Sequence, residues 1–533
     1  LMGSVTHLFS DGTRLWVEAE WIKRPSNGLS QLALVDNGTA DPVHRYTRLA
    51  TELRNFSPVG PINHTNRENS QFTGSLEHRI NDIWNLKLAA SWFNRDYWNF
   101  TSGRGENYNP VTRQIAGRVP GMDNINESGG GFSADVLATY PLHGGKLRAS
   151  TLFTLDYNVY IRTDPSWRIP DLTPYVNARH YYPNLSVDHP NYAVVWPFNT
   201  RDYSQIARWN DDHTDDVGLA VRQQLNAFDD RLIVSASGRF DETVYRLLDK
   251  AAAMQSGNPA LTHRAYFDEN AFEPGGGASY EVHKNIRLYA NLGSSFFANS
   301  QGVRTSAAQP KEGGYGFDYG VKGSFLENKL NGTLAAYYAR QTNVQVMDLD
   351  ENGFPVTRYE GGRLTRGFEL DCNWQASPNA TLLANYSFSN ARISKNGRDL
   401  DSVGRHPTQA PENSASLVCR YIFPAGALKG LNVNLGIAYF GKSWIDAVNG
   451  GIVDPRTGLI LSNDGRRNIT LPAYTLVNLG FQYEYRPRRS HFAHTFGVNV
   501  KNLLDKRYIS SGRYVGDRLG VYFSYSINHF LKQ

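Results

Sequence analysis

Apolar and polar side chains alternate with a period of two in many separate segments of this 533-residue chain. The clearest segment lies near the end of the sequence, within residues 495–530. One of its rows is apolar and consists of Leu519, Val521, Phe523, Tyr525 and Ile527. The residues between them are Gly520, Tyr522, Ser524, Ser526 and Asn528. Because successive side chains of a strand point to opposite faces of a sheet, this alternation predicts a strand with one apolar face and one polar face.

The alternating segments come in pairs along the whole chain, and tight turns alternate with long connections. Segments 72–80 and 83–97 are joined by a two-residue turn, whereas the connection after residue 97 runs for some thirty residues. We count about eighteen complete strands and one partial strand. Short turns on one side and long loops on the other are typical of transmembrane β-barrels, and a soluble sandwich has no reason to keep this asymmetry. We therefore predict an all-β chain that forms one transmembrane antiparallel β-barrel domain over residues 1–533.

The composition and the motif content agree with this fold and argue against several classes of function. Hydrophobic residues make up 40% of the chain and the mean hydropathy is -0.48. No apolar run reaches the roughly 18 residues that a membrane helix needs, which excludes membrane helices. The formal net charge of +5 is spread along the chain, so nothing indicates a nucleic-acid partner. Neither Cys372 nor Cys419 has metal-ligand spacing around it, and we find no catalytic motif, so we expect neither a metal site nor an enzyme.

The phase of the alternation assigns side chains to the two faces of the predicted wall. In segment 431–440, the residues expected to face lipid are Leu431, Val433, Leu435 and Ile437. Asn434 is expected to face the barrel interior. Between strands, we interpret residues from about 22 to 70 as a long polar connection. We expect the alanine patch at 251–253 to be too short for a helix.

Two motifs go beyond this pattern. The first is Asn502-Leu503-Leu504-Asp505 followed by Tyr508, and the second is Arg366-Gly367-Phe368-Glu369. Four weaker segments accompany them, at residues 238–241, 318–322, 410–415 and 471–475. These six segments follow one another along the chain in the same order as in the TonB-dependent outer-membrane receptors. The chain therefore resembles this family, particularly the receptors for ferric siderophores. The first motif has Leu504 where the family usually has phenylalanine.

The resemblance implies a barrel of the 22-stranded type, of which about 18 to 19 strands are present in this chain. It also implies that the plug, the TonB-binding segment and the first three to four strands are absent from the chain. The expected location is the bacterial outer membrane, and the expected function is uptake of a ferric siderophore energised by the TonB complex. The partners are then the siderophore, the outer-membrane lipid and TonB. Iron is a substrate carried by the siderophore, and no covalently bound cofactor is expected.

The connection between residues 163 and 212 is the segment that we expect to bind the ligand. It is rich in aromatic and basic side chains, which suit stacking on a siderophore and pairing with its negative charge. The expected contacts are Trp167, Tyr175, Arg179, His180, Tyr181, Tyr182 and Trp196. Alternatively, the aromatic residues at the loop base belong to the interfacial girdle and the rest pack the loop on itself.

Other functions stay open at this point. A receptor of the same build for a vitamin or an oligosaccharide differs only in its loops, and a sugar receptor should carry many Asp, Asn and Gln residues there. A passive outer-membrane channel would not need the family motifs. A soluble β-rich enzyme or lectin should stay in the aqueous phase without detergent. Aromatic residues beside arginine in the 163–212 connection favour the ferric siderophore.

Overall fold

Nineteen long antiparallel strands account for most of the computed structural model. The strands are β1 (Met2–Ser10), β2 (Thr13–Ser26), β3 (His64–Arg79), β4 (Trp84–Thr101), β5 (Gly121–Leu142), β6 (Leu147–Thr163), β7 (Asn210–Ala227), β8 (Leu232–Asp249), β9 (His263–His283), β10 (Ile286–Phe297), β11 (Glu312–Phe325), β12 (Leu330–Leu349), β13 (Pro355–Ser377), β14 (Ala380–Lys395), β15 (Asn413–Ile422), β16 (Leu431–Phe440), β17 (Tyr474–Tyr485), β18 (Phe492–Lys501) and β19 (Gly520–His529). The structure describes residues 1–26, 32–39, 45–58, 60, 64–101, 107–116, 121–168, 184–192, 206–298, 310–349, 355–397, 399–445, 451–453, 460–463, 468–487, 492–510 and 513–529.

Each long strand pairs with the strands before and after it in the sequence, so the wall is one continuous meander. Within the described residues the sheet contains 21 strands, because the short segment Ser166–Arg168 pairs with β5 and the short segment Ile206–Arg208 pairs with Ser166–Arg168. The number of long strands and their antiparallel order confirm the predicted fold class. Within the described residues, β1 pairs only with β2 and β19 pairs only with β18. The described sheet therefore has two edges, one at each end of its strand order.

The register of the strands separates an apolar face from a polar face. Leu292 of β10 lies opposite Phe317 of β11, which in turn lies opposite Tyr338 of β12. Leu292 is 64% exposed and Phe317 is 46% exposed. Such exposure is expected for side chains that face lipid rather than a protein core. We call the apolar face of the wall the outer face and the polar face the inner face.

The phase predicted for β16 agrees with this register. Val433 lies opposite Phe481 and Leu435 lies opposite Leu479, so both are on the outer face. Asn434 lies opposite Gly480 on the inner face. The alternation in the sequence therefore identifies which side chains of this strand face lipid.

Tight turns join the strands at one end of the wall and long connections join them at the other, as predicted. Two of the tight turns contain three consecutive residues with positive φ: Phe228, Asp229 and Asp230 in one, and Leu326, Glu327 and Asn328 in the other. At the long-connection end, several strands reach further than the alternation predicts. The pairing of β12 with β13, for example, continues to Leu349 and Pro355. Most of the connection predicted there is therefore a paired extension of the wall.

The long connections have structure of their own, which the alternating pattern of the sequence does not predict. Five short strands form a second sheet: Leu34–Asp36, Tyr46–Leu49, Asn107–Asn109, Gln114–Ala116 and Leu185–Ser186. Residues 32–35 are at most 3% exposed. The interpretation of residues 22–70 as a polar connection is therefore wrong. The four-residue apolar run 32–35 within it is buried, its last two residues belong to the strand Leu34–Asp36, and β3 begins at His64 rather than near residue 70.

A hydrophobic core lies between these connections, and we call it the loop core. Its buried members are Leu32, Ala33, Leu34, Val35, Tyr46, Leu49, Ala50, Leu53, Tyr108, Ile115, Leu185, Ile445, Ile469, Leu471 and Ile509. The Leu32 backbone N–H donates to the Arg513 carbonyl at 2.9 Å, which joins the connection after β2 to the connection before β19. Because β2 and β19 lie near opposite edges of the sheet, this contact requires the sheet to curl until its two edges approach each other.

The remaining elements are short. The hairpins are Ser443–Trp444 with Thr470–Leu471, Gly451–Val453 with Ile460–Asn463, and Ile509–Ser510 with Tyr514–Val515. The single-turn 3-10 helices are Thr51–Leu53, His143–Gly145, Pro259–Leu261 and Leu400–Ser402. The expectation of no helix at residues 251–253 is wrong: α1 (Ala251–Ser256) forms there, because Gly257 closes it in the left-handed conformation and Met254 packs against the cluster of Met122, Trp167 and Ile206. In the part of the chain that the structure describes, no helix is long and apolar enough to cross a membrane.

Candidate ligand-binding site

One of the predicted ligand contacts, Trp167, lies within the described residues. Its side chain is 4% exposed and packs against Met122 and Ile206, and its ring centroid is 6.5 Å from that of Trp209. In this position Trp167 stabilises the long-connection end of the wall, between β5 and the short segment Ile206–Arg208 that precedes β7. The other predicted contacts lie outside the described residues: Tyr175, Arg179, His180, Tyr181, Tyr182 and Trp196. The predicted connection 163–212 is also shorter than expected, because β7 begins at Asn210.

The first family motif lies in the connection between β18 and β19, where Asn502 organises the backbone. Asn502 is 3% exposed and has a φ of 51°. Its Nδ2 donates to the carbonyls of Lys506 and Asp517, each at 2.9 Å, and its Oδ1 accepts from the Lys506 N–H at 2.8 Å. Asparagine suits this position because it tolerates positive φ and its amide can bond to backbone groups. The neighbouring Leu503 donates its N–H to the Val477 carbonyl at 2.7 Å, which ties the connection to β17.

Asp505 and Tyr508 hold the rest of this connection together. Asp505 accepts hydrogen bonds from the Arg518 guanidinium, and this pairing is the main reason that the pKa of the carboxyl lies well below its usual range. The Tyr508 ring stacks on Tyr474 with a centroid distance of 4.5 Å. A Cβ atom at position 516 would lie 2.2 Å from the Tyr508 ring, so glycine is needed at Gly516. The motif residues thus shape the connection.

The second family motif lies on β13 and alternates between the two faces. Arg366 is exposed and lies opposite Tyr338 on the outer face. Glu369 is on the inner face, where the Ser387 hydroxyl donates to it at 3.4 Å. A Cβ atom at Gly367 would lie 1.9 Å from the Phe388 carbonyl oxygen, so glycine allows β13 and β14 to pair at this point. The motif therefore sets strand packing and leaves Arg366 on the outer face.

A recess on the inner face of β2 to β5 combines basic and aromatic side chains. Its volume is about 540 Å³, and it is lined by Ile22, Arg24, Arg67, Asn69, Arg95, Tyr97, Ile125 and Glu127. Arg24 is near the end of β2 and Arg67 is near the start of β3, so the recess lies toward the long-connection end of the wall. The register determines its geometry, because Arg67 lies opposite both Arg24 and Tyr97. The recess thus brings three guanidinium groups and a phenol ring together.

The charges within this recess are not balanced. Arg95 pairs with Glu127 at 3.0 Å. Arg67 lies over the Tyr97 ring, 4.8 Å from its centroid, and among the described residues neither Arg67 nor Arg24 has an ion-pair partner. Like charges directly opposite each other on neighbouring strands repel. An anionic group bound between Arg24 and Arg67 would remove this repulsion, so the recess is suited to a negatively charged ligand.

A second charged network lies beside the recess, at the end of β6. Asp164 is 3% exposed, and its carboxylate is 3.0 Å from Arg162 and 3.1 Å from Arg208. Burial raises the pKa of the Asp164 carboxyl above its ordinary value, and the two arginines oppose this effect. Arg162 also lies 3.9 Å from Glu127, which connects the network to the recess. Because its charges pair with one another, this network anchors the base of the following connection.

A larger recess, of about 680 Å³, lies at the tight-turn end of the wall. Its lining includes Lys284, Arg287 and Lys322 together with Glu281 and Asp371. Because these charges are of both signs, this recess has less preference for an anion. Among the described residues, no group of His, Cys, Asp and Glu side chains is arranged to hold a metal ion. The chemistry of the inner wall is therefore ion pairing and hydrogen bonding.

No sequence motif marks Arg24, Arg67 or Arg95. Each lies in the polar phase of its strand, but a long connection separates Arg24 from Arg67 in the sequence. The register between β2 and β3 cannot be read from composition, and it is the register that brings these two side chains together. The sequence contains one indication of this recess. Neighbouring strands each carry a basic residue at a polar-face position near the end that leads into a long connection.

A family model described as TonB dependent receptor-like, beta-barrel matches residues 7–503. The chain belongs to this family. The metal-pseudopaline receptor CntO of Pseudomonas aeruginosa is 27% identical over 512 residues, which are 95% of this chain and 64% of that protein. The ferrichrome outer membrane transporter/phage receptor of Escherichia coli is 24% identical over 498 residues, which are 90% of this chain and 60% of that protein. The chain thus spans less than two thirds of the length of these relatives.

A solved structure gives the same fold. The siderophore receptor PiuA from Acinetobacter baumannii aligns with a TM-score of 0.73 and 16% sequence identity, over 99% of this chain and 72% of that chain. At this identity the likeness concerns the fold of the TonB-dependent receptor barrel and not its ligand. The long antiparallel wall described above is therefore a membrane-spanning β-barrel wall of this family.

Proposed function

We propose that this chain is the barrel of an outer-membrane receptor that takes up a ferric siderophore with energy from the TonB complex. The observation that carries the proposal is the pair of exposed arginines, Arg24 and Arg67, on the inner face of a TonB-dependent receptor barrel. The names of the two relatives, for metal-pseudopaline and for ferrichrome, support a metal chelate as the ligand. Iron is then cargo, and the protein is a transporter rather than an enzyme.

The remaining partners follow from the family. The chain spans 64% and 60% of the length of its two relatives, and we propose that a plug segment outside residues 1–533 gates the barrel and contacts TonB. The connection after β6 stays a proposed ligand-binding segment, with Arg179 to Tyr182 as its predicted contacts. In this scheme the external connections capture the ligand, and the recess on the inner wall receives it.

The recess also indicates the chemical class of the chelate. Guanidinium groups form strong, often bidentate hydrogen bonds with carboxylate and other anionic oxygens. A chelate with net negative charge, built from carboxylate or catecholate groups, should therefore bind better than a chelate without net charge. The Tyr97 ring beside Arg67 provides a surface on which a planar group can stack.

The test uses the complete receptor in cells and as purified protein. The Arg24→Gln/Arg67→Gln variant should bind an anionic ferric siderophore at least about tenfold more weakly, because each charge-assisted hydrogen bond contributes about 1.5–3 kcal/mol. Binding is measured by tryptophan quenching, and uptake is measured with radiolabelled iron in cells with and without TonB. Barrel assembly should be unchanged, since both side chains are exposed.

Arg14→Gln is the matched control. Arg14 lies on the same face of β2, near the tight-turn end, and it is paired with Glu77 at 3.8 Å. Its replacement should leave siderophore affinity unchanged. If the double variant also kept its affinity, the ligand site would have to lie elsewhere on the barrel. Iron accumulation that does not depend on TonB would contradict the proposed function itself.

A second candidate cargo is a chelate of a metal other than iron. The observation that favours it is the 27% identity to a metal-pseudopaline receptor over 95% of this chain. The same uptake assay with zinc or nickel chelates discriminates between the two. A receptor that accumulates these metals but not iron would have the same recess and a different cargo.

A further inference from the structure

Three arginines lie together on the outer face of β12, β13 and β14, and we call them the outer arginine cluster. They are Arg340, Arg366 and Arg392. Arg340 and Arg392 lie opposite Leu364 from its two sides, and Arg366 is two residues further along the same strand as Leu364. Arg366 is therefore a diagonal neighbour of both. Diagonal neighbours in a sheet are roughly 7–8 Å apart, so the three guanidinium groups can reach one common ligand.

The cluster lies where the apolar band of the outer face ends. Arg340 follows Tyr338 on the same face, and the Tyr338 ring stacks on Phe317 at a centroid distance of 5.1 Å. Arg366 precedes Phe368, which is 41% exposed. Aromatic belts of this kind mark the membrane interface. Arg340 is ten residues from the start of β12, about the length of a transmembrane strand, so the cluster lies at the interface on the long-connection side.

The outer face carries an excess of positive charge at this point. Arg392 is 3.5 Å from Glu412. Arg340 and Arg366 are exposed, and within the described residues neither has an ion-pair partner. The outer-face positions within 313–325, 330–342, 362–374 and 382–394 include no carboxylate. Like charges this close repel more strongly at a membrane interface than in water, and a bound anion would relieve that repulsion.

We propose that the outer arginine cluster binds the phosphate groups of a lipid in the leaflet on the long-connection side of the membrane. Arginine forms bidentate hydrogen bonds with phosphate, and its methylene stem can lie along the aromatic rings while its charged end reaches the headgroup. The long loops of such barrels are extracellular, so this is the outer leaflet. The inference rests on the outer-membrane location proposed above, and it commits to the bisphosphorylated lipid A of lipopolysaccharide as the ligand.

The experiment measures lipid binding to the complete receptor in detergent by native mass spectrometry. Bisphosphorylated lipid A is compared with the same lipid lacking both phosphates. The wild-type protein should bind the phosphorylated form more tightly, and the Arg340→Gln/Arg366→Gln variant should bind it about tenfold more weakly or worse. Arg363→Gln is the matched control, because Arg363 is an exposed arginine on the same strand that points to the inner face. Its lipid affinity should equal that of the wild type.

Further measurements distinguish an effect on lipid binding from an effect on folding or on transport. The shift in gel mobility on heating reports whether each variant has formed its barrel, and the Arg340→Lys/Arg366→Lys variant keeps the charge and should recover part of the affinity. Equal lipid A binding by the glutamine variant and the wild type, or equal binding of the phosphorylated and phosphate-free lipids, would overturn the inference. Iron uptake measured on the same variants tests the proposed function separately, since the cluster faces away from the barrel interior.

Discussion

His406 holds the connection between β14 and β15 against a neighbouring connection. Its ring stacks on Trp444 with a centroid distance of 3.9 Å and an interplanar angle of 10°, and its Nε2 atom is 3.1 Å from the Glu412 carboxylate. Burial lowers the pKa of His406 below its ordinary value of 6.5; Arg392 and Lys442 lower it further, and Glu412 opposes them. The stacked arrangement therefore favours the neutral imidazole.

Acidification should loosen this contact. When the His406 ring leaves Trp444, its pKa returns toward 6.5, so the released state binds more protons than the stacked state at pH values between the lowered pKa and 6.5. The contact therefore weakens as the pH falls through this window, and it weakens no further once both states are protonated. We expect protease cleavage within residues 396–412 to accelerate as the pH falls below 6.5, and to accelerate less in the His406→Gln variant. Equal acceleration in both proteins would assign the effect to another group.

The residues of the site differ in how far the sequence could predict them. Asn502 and Asp505 were found because their partners lie within the same connection, so the motif is local and can be recognised. Arg24 and Arg67 were missed because they meet only through the register of β2 with β3 across a long connection. Trp167 was expected at a ligand surface, yet aromatic composition does not distinguish a stacking surface from a buried contact, and here the ring is 4% exposed.

At the scale of single strands, the alternation predicted the faces well and the ends poorly. On β15, Leu417 lies opposite Ile437 on the outer face, whereas Ser416 lies opposite Ala438 on the inner face, as the period of two requires. Strand ends at the long-connection side were misjudged because the paired extensions of β12 and β13 leave the membrane and no longer need an apolar row. The alternation of apolar and polar residues depends on the contrast between lipid on one face of a strand and water on the other. It is absent where both faces contact water.

Adjacent positions on β15 provide a direct test of this register. The Leu417→Arg variant places a charge on the lipid side near the middle of the strand, which costs about 2–4 kcal/mol at the bilayer midplane. The Ser416→Arg variant places the same charge on the inner face, where Ser416 lies opposite Asn385 and the Asp371 carboxylate is one strand further away. Urea unfolding from liposomes should therefore show a large loss of stability for Leu417→Arg and little change for Ser416→Arg. The reverse order would mean that the two faces have been exchanged.

At the scale of the whole molecule, the loop core connects parts of the chain that the sequence keeps far apart. Its residues come from the connections after β2, β4, β6, β16 and β18, and the Leu32–Arg513 hydrogen bond joins the first of these to the last. No local pattern could predict these contacts, because each connection contributes only a few apolar residues and their partners are set by the curvature of the wall. The loop core therefore contributes to the closure of the barrel as well as to the structure of its external surface.

We predict that weakening the loop core loosens the barrel wall between β1 and β19, the two ends of the described sheet. Ile115 and Leu185 are 0% and 2% exposed, and replacing such side chains with alanine typically costs about 2–5 kcal/mol each. Spin labels at Thr6→Cys and Ser524→Cys, in the complete receptor with Cys372 and Cys419 replaced by serine, report the distance between β1 and β19.

The Ile115→Ala/Leu185→Ala variant should broaden this distance distribution, because the connections that join the two edges of the sheet are then less tightly packed. Val346→Ala/Ile393→Ala is the matched control: these side chains are 6% and 4% exposed and lie at the same end of the wall, but on β12 and β14, far from β1 and β19. The control should leave the distribution narrow. If both variants broadened it equally, the effect would be a general loss of stability. If neither did, strand pairing alone would hold the edges, and the loop core would serve only the external surface.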